Sequence, residues 1–235
     1  MSALTLALAP LSKPMKHALS CSKRGGFSGY ASRMRLQSQA DREASDDTDH
    51  FVRLHNVSWA DYERLLRMRG DHSAPRITYL EGEVEIMSPS KSHEAIKSFF
   101  GRLVEVYCDF HEIEFTPYGA WTLKQRREER GAEADECYVF GEPKNPKRPD
   151  LAIEVEWTRG RIDKLAVYRK LGVREVWYWR EGKLEPYLLR GERYKLAVGS
   201  KVLPGIDLAQ MAALLDRPSA SRAMREYRAA LGKPT

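Results

Sequence analysis

The chain has 235 residues, 42% hydrophobic and 31% charged, with a formal net charge of +6. That length supports one substantial core in an ordinary globular composition, and no run approaches the roughly 20 apolar residues of a membrane span. All the excess charge lies in the first 40 residues, where Lys13, Lys16, Lys23, Arg24, Arg33 and Arg35 meet no acid; 33 basic and 33 acidic residues remain beyond. Such a balance argues against a strongly basic duplex-binding face.

Residues 1–50 read as a disordered or leader-like tail, rich in Ser, Gly, Ala and basic residues and without apolar periodicity. The apolar opening at 3–11 lacks the charged region of a secretory signal, and Met15 and Met34 are alternative starts. Cys21, Cys108 and Cys137 are scattered, with no CxxC pair or Cys/His cluster for zinc or iron. This usage fits a reducing, cytoplasmic setting.

A domain is expected over 51–216. Ser58, with Asp61 three residues on, caps a first helix whose stripe is Tyr62, Leu65 and Leu66, ending at Gly70. Residues 77–80 and 84–87 flank Glu81-Gly82 as a hairpin. Ser90 or Ser92 starts a long helix with Ile96, Phe100, Leu103, Val104 and Tyr107 facing the core. Short strands are predicted at 113–116, 120–124 and 136–140, with a charged loop at 125–131.

The most informative stretch is 148–157. On a strand, Asp150, Ala152, Glu154 and Glu156 share one face and Leu151, Ile153, Val155 and Trp157 the other. A row of like charges is tolerated when solvated, paired with cations or coordinating a metal. A helix over 161–171 ending at Gly172 and a strand over 173–179 complete a strand–helix–strand unit with a central parallel pair. Lys164, Tyr168 and Leu171 share a helical stripe, so the lysine either leans back to the sheet or snorkels at the rim. Hairpin strands at 184–189 and 194–198, a helix at 208–215 after Pro204-Gly205, and an exposed helical extension at 217–235 finish the chain. Trp177 and Trp179 read as core or as a dimer surface.

Four segments together resemble the Uma-type restriction endonucleases, a family of the PD-(D/E)XK nuclease superfamily, over roughly 57–215. They are YLEGEVEIMSPSKSHEAI at 79–96, GAEADECYVF at 131–140, RPDLAIEVEWT at 148–158 and DKLAVYRKLGVREVWYW at 163–179. The resemblance implies an α/β, restriction-endonuclease-like fold, a mixed central β-sheet flanked by helices. It also implies a DNA endonuclease using Mg²⁺ or Mn²⁺. By position it assigns Asp135 and Glu154 as metal ligands and Lys164 as the lysine, drawn from the following helix because Glu156 stands where the superfamily commonly has it. Glu83 and His93 match further polar positions around the site.

Ala134-Asp135 lacks the family's Pro-Asp, whereas Pro149-Asp150 retains one, so Asp150 competes with Asp135 as ligand. A hard cation held by carboxylates supplies a nucleophilic water and charge stabilisation, and a neighbouring lysine can orient or deprotonate that water. DNA is the expected partner, a membrane is not, and a homodimer is compatible with the reading. The alternative is a nuclease-like module that binds nucleic acid or protein without cleaving.

Overall fold

The computed structural model describes residues 48–157 and 161–232; the tail reading for 1–47 lies outside them. Asp49 and His50, counted with the tail, belong to the folded part. His50–Leu54 forms β1, paired along its length with β3 (Glu83–Ser88), and Asp49 is buried.

The strands make two sheets. In the first, β1 pairs with β3, β3 with β2 (Arg76–Leu80), β2 with β6 (Arg130–Glu133) and β6 with β5 (Thr122–Gln125), all antiparallel. The β2–β3 hairpin turns at Glu81-Gly82 as predicted, both residues at positive φ, which glycine adopts freely. The second sheet runs β11 (Arg193–Leu196), β10 (Lys183–Arg190), β9 (Glu175–Arg180), β8 (Leu151–Val155), β7 (Glu136–Phe140), β4 (Phe115–Pro117). Only β8 and β9 are parallel within it.

Helices close both sheets. The first helix, α1 (Trp59–Arg69), is capped by Ser58, whose Oγ accepts the Asp61 N–H at 3.2 Å. It lays Trp59 and Tyr62 on Ile77, Tyr79 and Val84, covering one face of the first sheet. The long helix α2 (Lys91–Phe110) starts at a Ser90 cap and packs Phe100, Leu103, Val104 and Tyr107 with Leu151, Ile153, Val155 and Trp177. On the opposite face of the second sheet sits α3 (Lys164–Leu171), ending at Gly172 in the left-handed region as expected. Its Val167 and Tyr168 pack with Ala152, Val176 and Tyr178, and with Leu123 and Ala132 of the first sheet.

Alternation along β8 holds, but its acidic face is no solvated edge: β8 lies between β7 and β9, and all five of its residues are buried. The helix predicted from 161 begins at Lys164, because Asp163 caps it through the Leu165 N–H. The loop expected at 125–131 is largely ordered as a short turn of 3₁₀ helix and then β6, all four of whose residues are buried. Arg130 pairs with Glu81, Glu133 pairs with Arg69, and Gly131 leaves room for Tyr62. After α4 (Leu208–Ala213), the final helix α5 (Ala220–Leu231) buries Ala223 and Tyr227 in the cluster beneath α2, so it is not the exposed extension expected. Trp177 and Trp179 are core. Among the described residues, no helix is long and apolar enough to cross a membrane.

Candidate functional site

Strand register brings the two assigned acids together. In the β7–β8 pair Glu136 faces Ile153 and Cys137 faces Ala152, so continuing one step sets Asp135 across from Glu154. Both point to the side occupied by α3. Asp150 is four strand positions earlier, about 13 Å along β8, where its Oδ2 accepts the Phe140 N–H at 3.1 Å.

Each acid is engaged through both of its oxygens. Glu154, 2% exposed, accepts from Lys164 Nζ at 2.5 Å and from the Tyr168 hydroxyl. Lys164 sits in the first turn of α3 and donates also to the Glu133 carbonyl at 3.2 Å, so it leans to the sheet and does not snorkel. Asp135, 1% exposed, accepts from Arg76 Nη1 through Oδ1 and from the Val155 N–H through Oδ2 at 2.7 Å. The same Oδ2 lies 3.1 Å from His93 Nε2. Arg76 Nη1 and His93 Nε2 stand 3.1 Å apart because both reach for this one carboxylate.

His93 reaches the site because the Ser90 cap fixes the first turn of α2; its N–H donates to Ser90 Oγ at 3.1 Å. Its other ring nitrogen lies 2.8 Å from Asp49 Oδ2, and Asp49 also accepts the Ser90 N–H at 2.8 Å. Burial by itself lowers the imidazole pKa, but hydrogen bonds and charge from Asp135 and Asp49 outweigh it and raise it to about 9. His93 is therefore an imidazolium between two carboxylates at neutral pH. Burial raises the Asp135 carboxyl, yet Arg76, Lys164 and His93 together hold it well below the usual range. Glu154 goes the other way. Burial and the nearby Asp135 charge outweigh Lys164 and Tyr168, raising it to about 7.

Glu83 is not brought into this group. It lies beside the hairpin turn, half-exposed, and pairs with Arg53 and His55. Two residues on, and on the same strand face, Glu85 is buried and accepts from Arg161 Nε at 2.9 Å and from the Ile162 N–H at 3.2 Å. Glu85, Glu154, Arg161 and Lys164 line a cavity of about 10 Å³, room for about one water. Arg76, Asp49 and Glu85 thus join the site without having been singled out by sequence, and Tyr168, read there only as a stripe residue beside Lys164, joins it as a donor to Glu154. The alternation that puts Glu83 and Glu85 on one face is the signal that could have found Glu85.

Among the described residues, no group of three or more His, Cys, Asp or Glu side chains is arranged to hold a metal ion. The pair Asp135 and Glu154 nevertheless fits a hard cation by donor type. A carboxylate has about four acceptor positions; Glu154 uses two and Asp135 three, so both retain free lone pairs. Mg²⁺ needs only one or two carboxylates because it keeps several waters.

A mixed α/β protein with a buried Asp–Glu–Lys group, drawn from the residue ahead of β7, from the central strand β8 and from the helix that follows it, is thereby defined. The chain belongs to the Uma2 family, described as "Putative restriction endonuclease", which matches residues 59–212. Among solved structures it is similar to a protein from Anabaena variabilis ATCC 29413 described as a "putative nuclease", at 14% identity. That match covers 68% of this chain and 96% of the other, with a TM-score of 0.43. No curated protein matches.

Proposed function

We propose that the protein is a divalent-metal-dependent endonuclease that hydrolyses phosphodiester bonds in DNA, with Asp135, Glu154 and Lys164 as its working group. The observation that carries this is the convergence of those three side chains: Asp135 across from Glu154 by register, and Lys164 Nζ 2.5 Å from Glu154. Family membership supplies the reaction class.

Asp135 and Glu154 would hold Mg²⁺ or Mn²⁺, which when bound supplies an acidified water and neutralises phosphate charge. Lys164 holds its ammonium beside the same carboxylate, placed to orient a water and to meet negative charge developing on the phosphate. Tyr168 fixes Glu154 through its hydroxyl, whose pKa burial pushes well up, so it remains a donor. His93 and Arg76 orient Asp135. Glu83 is better placed to brace the hairpin than to act. The buried free thiols Cys108 and Cys137 suit a reducing cytoplasm.

The experiment is DNA cleavage by the purified protein with Mg²⁺ or Mn²⁺ and with chelator. Metal-dependent cutting that Glu154→Gln abolishes in a folded protein supports the reading. A second reading, a nuclease-like module that binds without cutting, is favoured by the engagement of all four carboxylate oxygens by protein donors. Absence of cleavage on every substrate, with nucleic-acid binding retained, selects it.

A further inference from the structure

Beside the small cavity at Glu154 opens a larger one of about 480 Å³, sharing Arg161, Lys164 and Tyr178 with it and walled further by Trp157, Arg180 and Lys183. Its volume falls within the range of small-molecule sites. Trp157 is 48% exposed at this mouth, whereas Trp59, Trp177 and Trp179 are buried. Arg180 lines the same cavity in a fixed pose. Its guanidinium lies 3.7 Å from the Tyr178 ring centroid, and two hydrogen bonds to Glu156 hold it, at 3.2 and 2.7 Å. The fold thus holds an exposed indole, an ordered guanidinium and an exposed lysine in a wall shared with Lys164, with the carboxylates of Glu156, Asp163, Glu181 and Glu185 in the same lining.

We infer that this cavity seats one unpaired nucleotide of a single-stranded nucleic acid, its base stacked on Trp157 and its backbone phosphate met by Arg180 and Lys183. The adjoining phosphodiester then lies toward Lys164. For an exposed aromatic ring to stack on a base, the base face must be free, and a duplex hides it within its own stack. The charge balance beyond the first 40 residues supplies no domain-wide basic surface for a duplex backbone. The inference rests on the phosphodiester reading of the neighbouring site and names its substrate class.

The test is fluorescence anisotropy of the full-length protein, in chelator, with labelled single strands of about 12 nucleotides as DNA and as RNA, and with the blunt duplex. Single strands of one or both kinds should bind more tightly than the duplex. Trp157→Ala should weaken single-strand binding about tenfold, and Trp157→Phe should retain most of it. Wild-type affinity in Trp157→Ala, preference for the duplex, or no binding by any oligonucleotide overturns the inference. With no metal present, the result is independent of cleavage. Binding lost in Trp157→Ala from a protein that never cuts sinks the nuclease reading alone. Glu154-dependent cutting by a protein indifferent to Trp157→Ala sinks this inference alone.

Discussion

Asp135 Oδ2 accepts the N–H of Val155 at 2.7 Å, so this carboxylate is tied to the backbone one residue past Glu154. The two acids therefore keep their spacing as a feature of main-chain geometry as well as of side-chain packing. The Asp150 carboxylate, in contrast, accepts from Phe140 in the same sheet.

Replacing Asp135 by Asn should abolish Mn²⁺ binding in a calorimetric titration. It should also cost about 3–5 kcal/mol of stability, the usual effect of breaking a buried ion pair. Whichever way the amide turns, its NH₂ meets a donor: Arg76 on one side, Val155 and His93 on the other. Asp150→Asn keeps an oxygen for Phe140 and should change both quantities little. The opposite pattern would assign metal binding to Asp150.

Lys164→Ala should reduce cleavage by on the order of 100-fold or more, and Lys164→Arg should not restore it, because a planar fork does not replace a point charge between Glu154 and the Glu133 carbonyl. Glu154, already raised to about 7, then has only Tyr168 as donor and takes up a proton more readily. Urea unfolding should show a larger deficit for Lys164→Ala at pH 8 than at pH 6, where the carboxyl is protonated in either protein. Equal deficits at both pH values would contradict the pairing.

His93 sets a pH window of its own. Its folded pKa, about 9, lies above the ordinary 6.5. The resulting stability, on the order of 3 kcal/mol, is fully present below pH 6.5 and is lost as pH rises through 9. Glu154 contributes in a lower window: its raised carboxyl favours folding below pH 4.5, and that contribution is lost as pH rises to about 7. Denaturant midpoints should thus fall between pH 6.5 and 9 in the wild type but stay nearly flat there in His93→Gln. A wild type flat over that range would show the imidazole to be neutral.

Gly131→Ala should cost on the order of 1–3 kcal/mol, because a Cβ there would come within 2.1 Å of the Tyr62 hydroxyl and 2.6 Å of its ring. Tyr62→Phe should be neutral or stabilising, since that buried hydroxyl has no hydrogen-bond partner among the described residues. Thermal midpoints of the two variants decide this, and a marked loss in Tyr62→Phe would mean that the hydroxyl is satisfied.

The strand–helix–strand unit was legible because its signals are local. Alternation marks β8, Gly172 ends α3, and Lys164 and Tyr168 fall one helical turn apart. β6 was hidden because Arg130 and Glu133 look like loop residues until Glu81 and Arg69, distant in sequence, neutralise them. Nor does β1 announce itself, since all five of its residues are exposed and it is its pairing with β3 that orders it. Asp49 fell inside the span read as a tail, and Arg76 just ahead of the strand expected at 77–80; only tertiary structure shows that each neutralises a buried partner. Asp135 and Glu154 were assigned through the family resemblance, while register gives the reason they meet.

The bond between His93 and Asp49 bears on where the working unit ends. The family match begins at Trp59 and stops at residue 212, yet the imidazolium takes its second counter-ion from ahead of that span. Tyr227, from behind it, packs in the cluster under α2, the helix that carries His93. A protein trimmed to the matched residues would keep every assigned metal ligand. It would nonetheless present Asp135 with a histidine balanced on one side only, on a helix that has lost the packing of Ala223 and Tyr227.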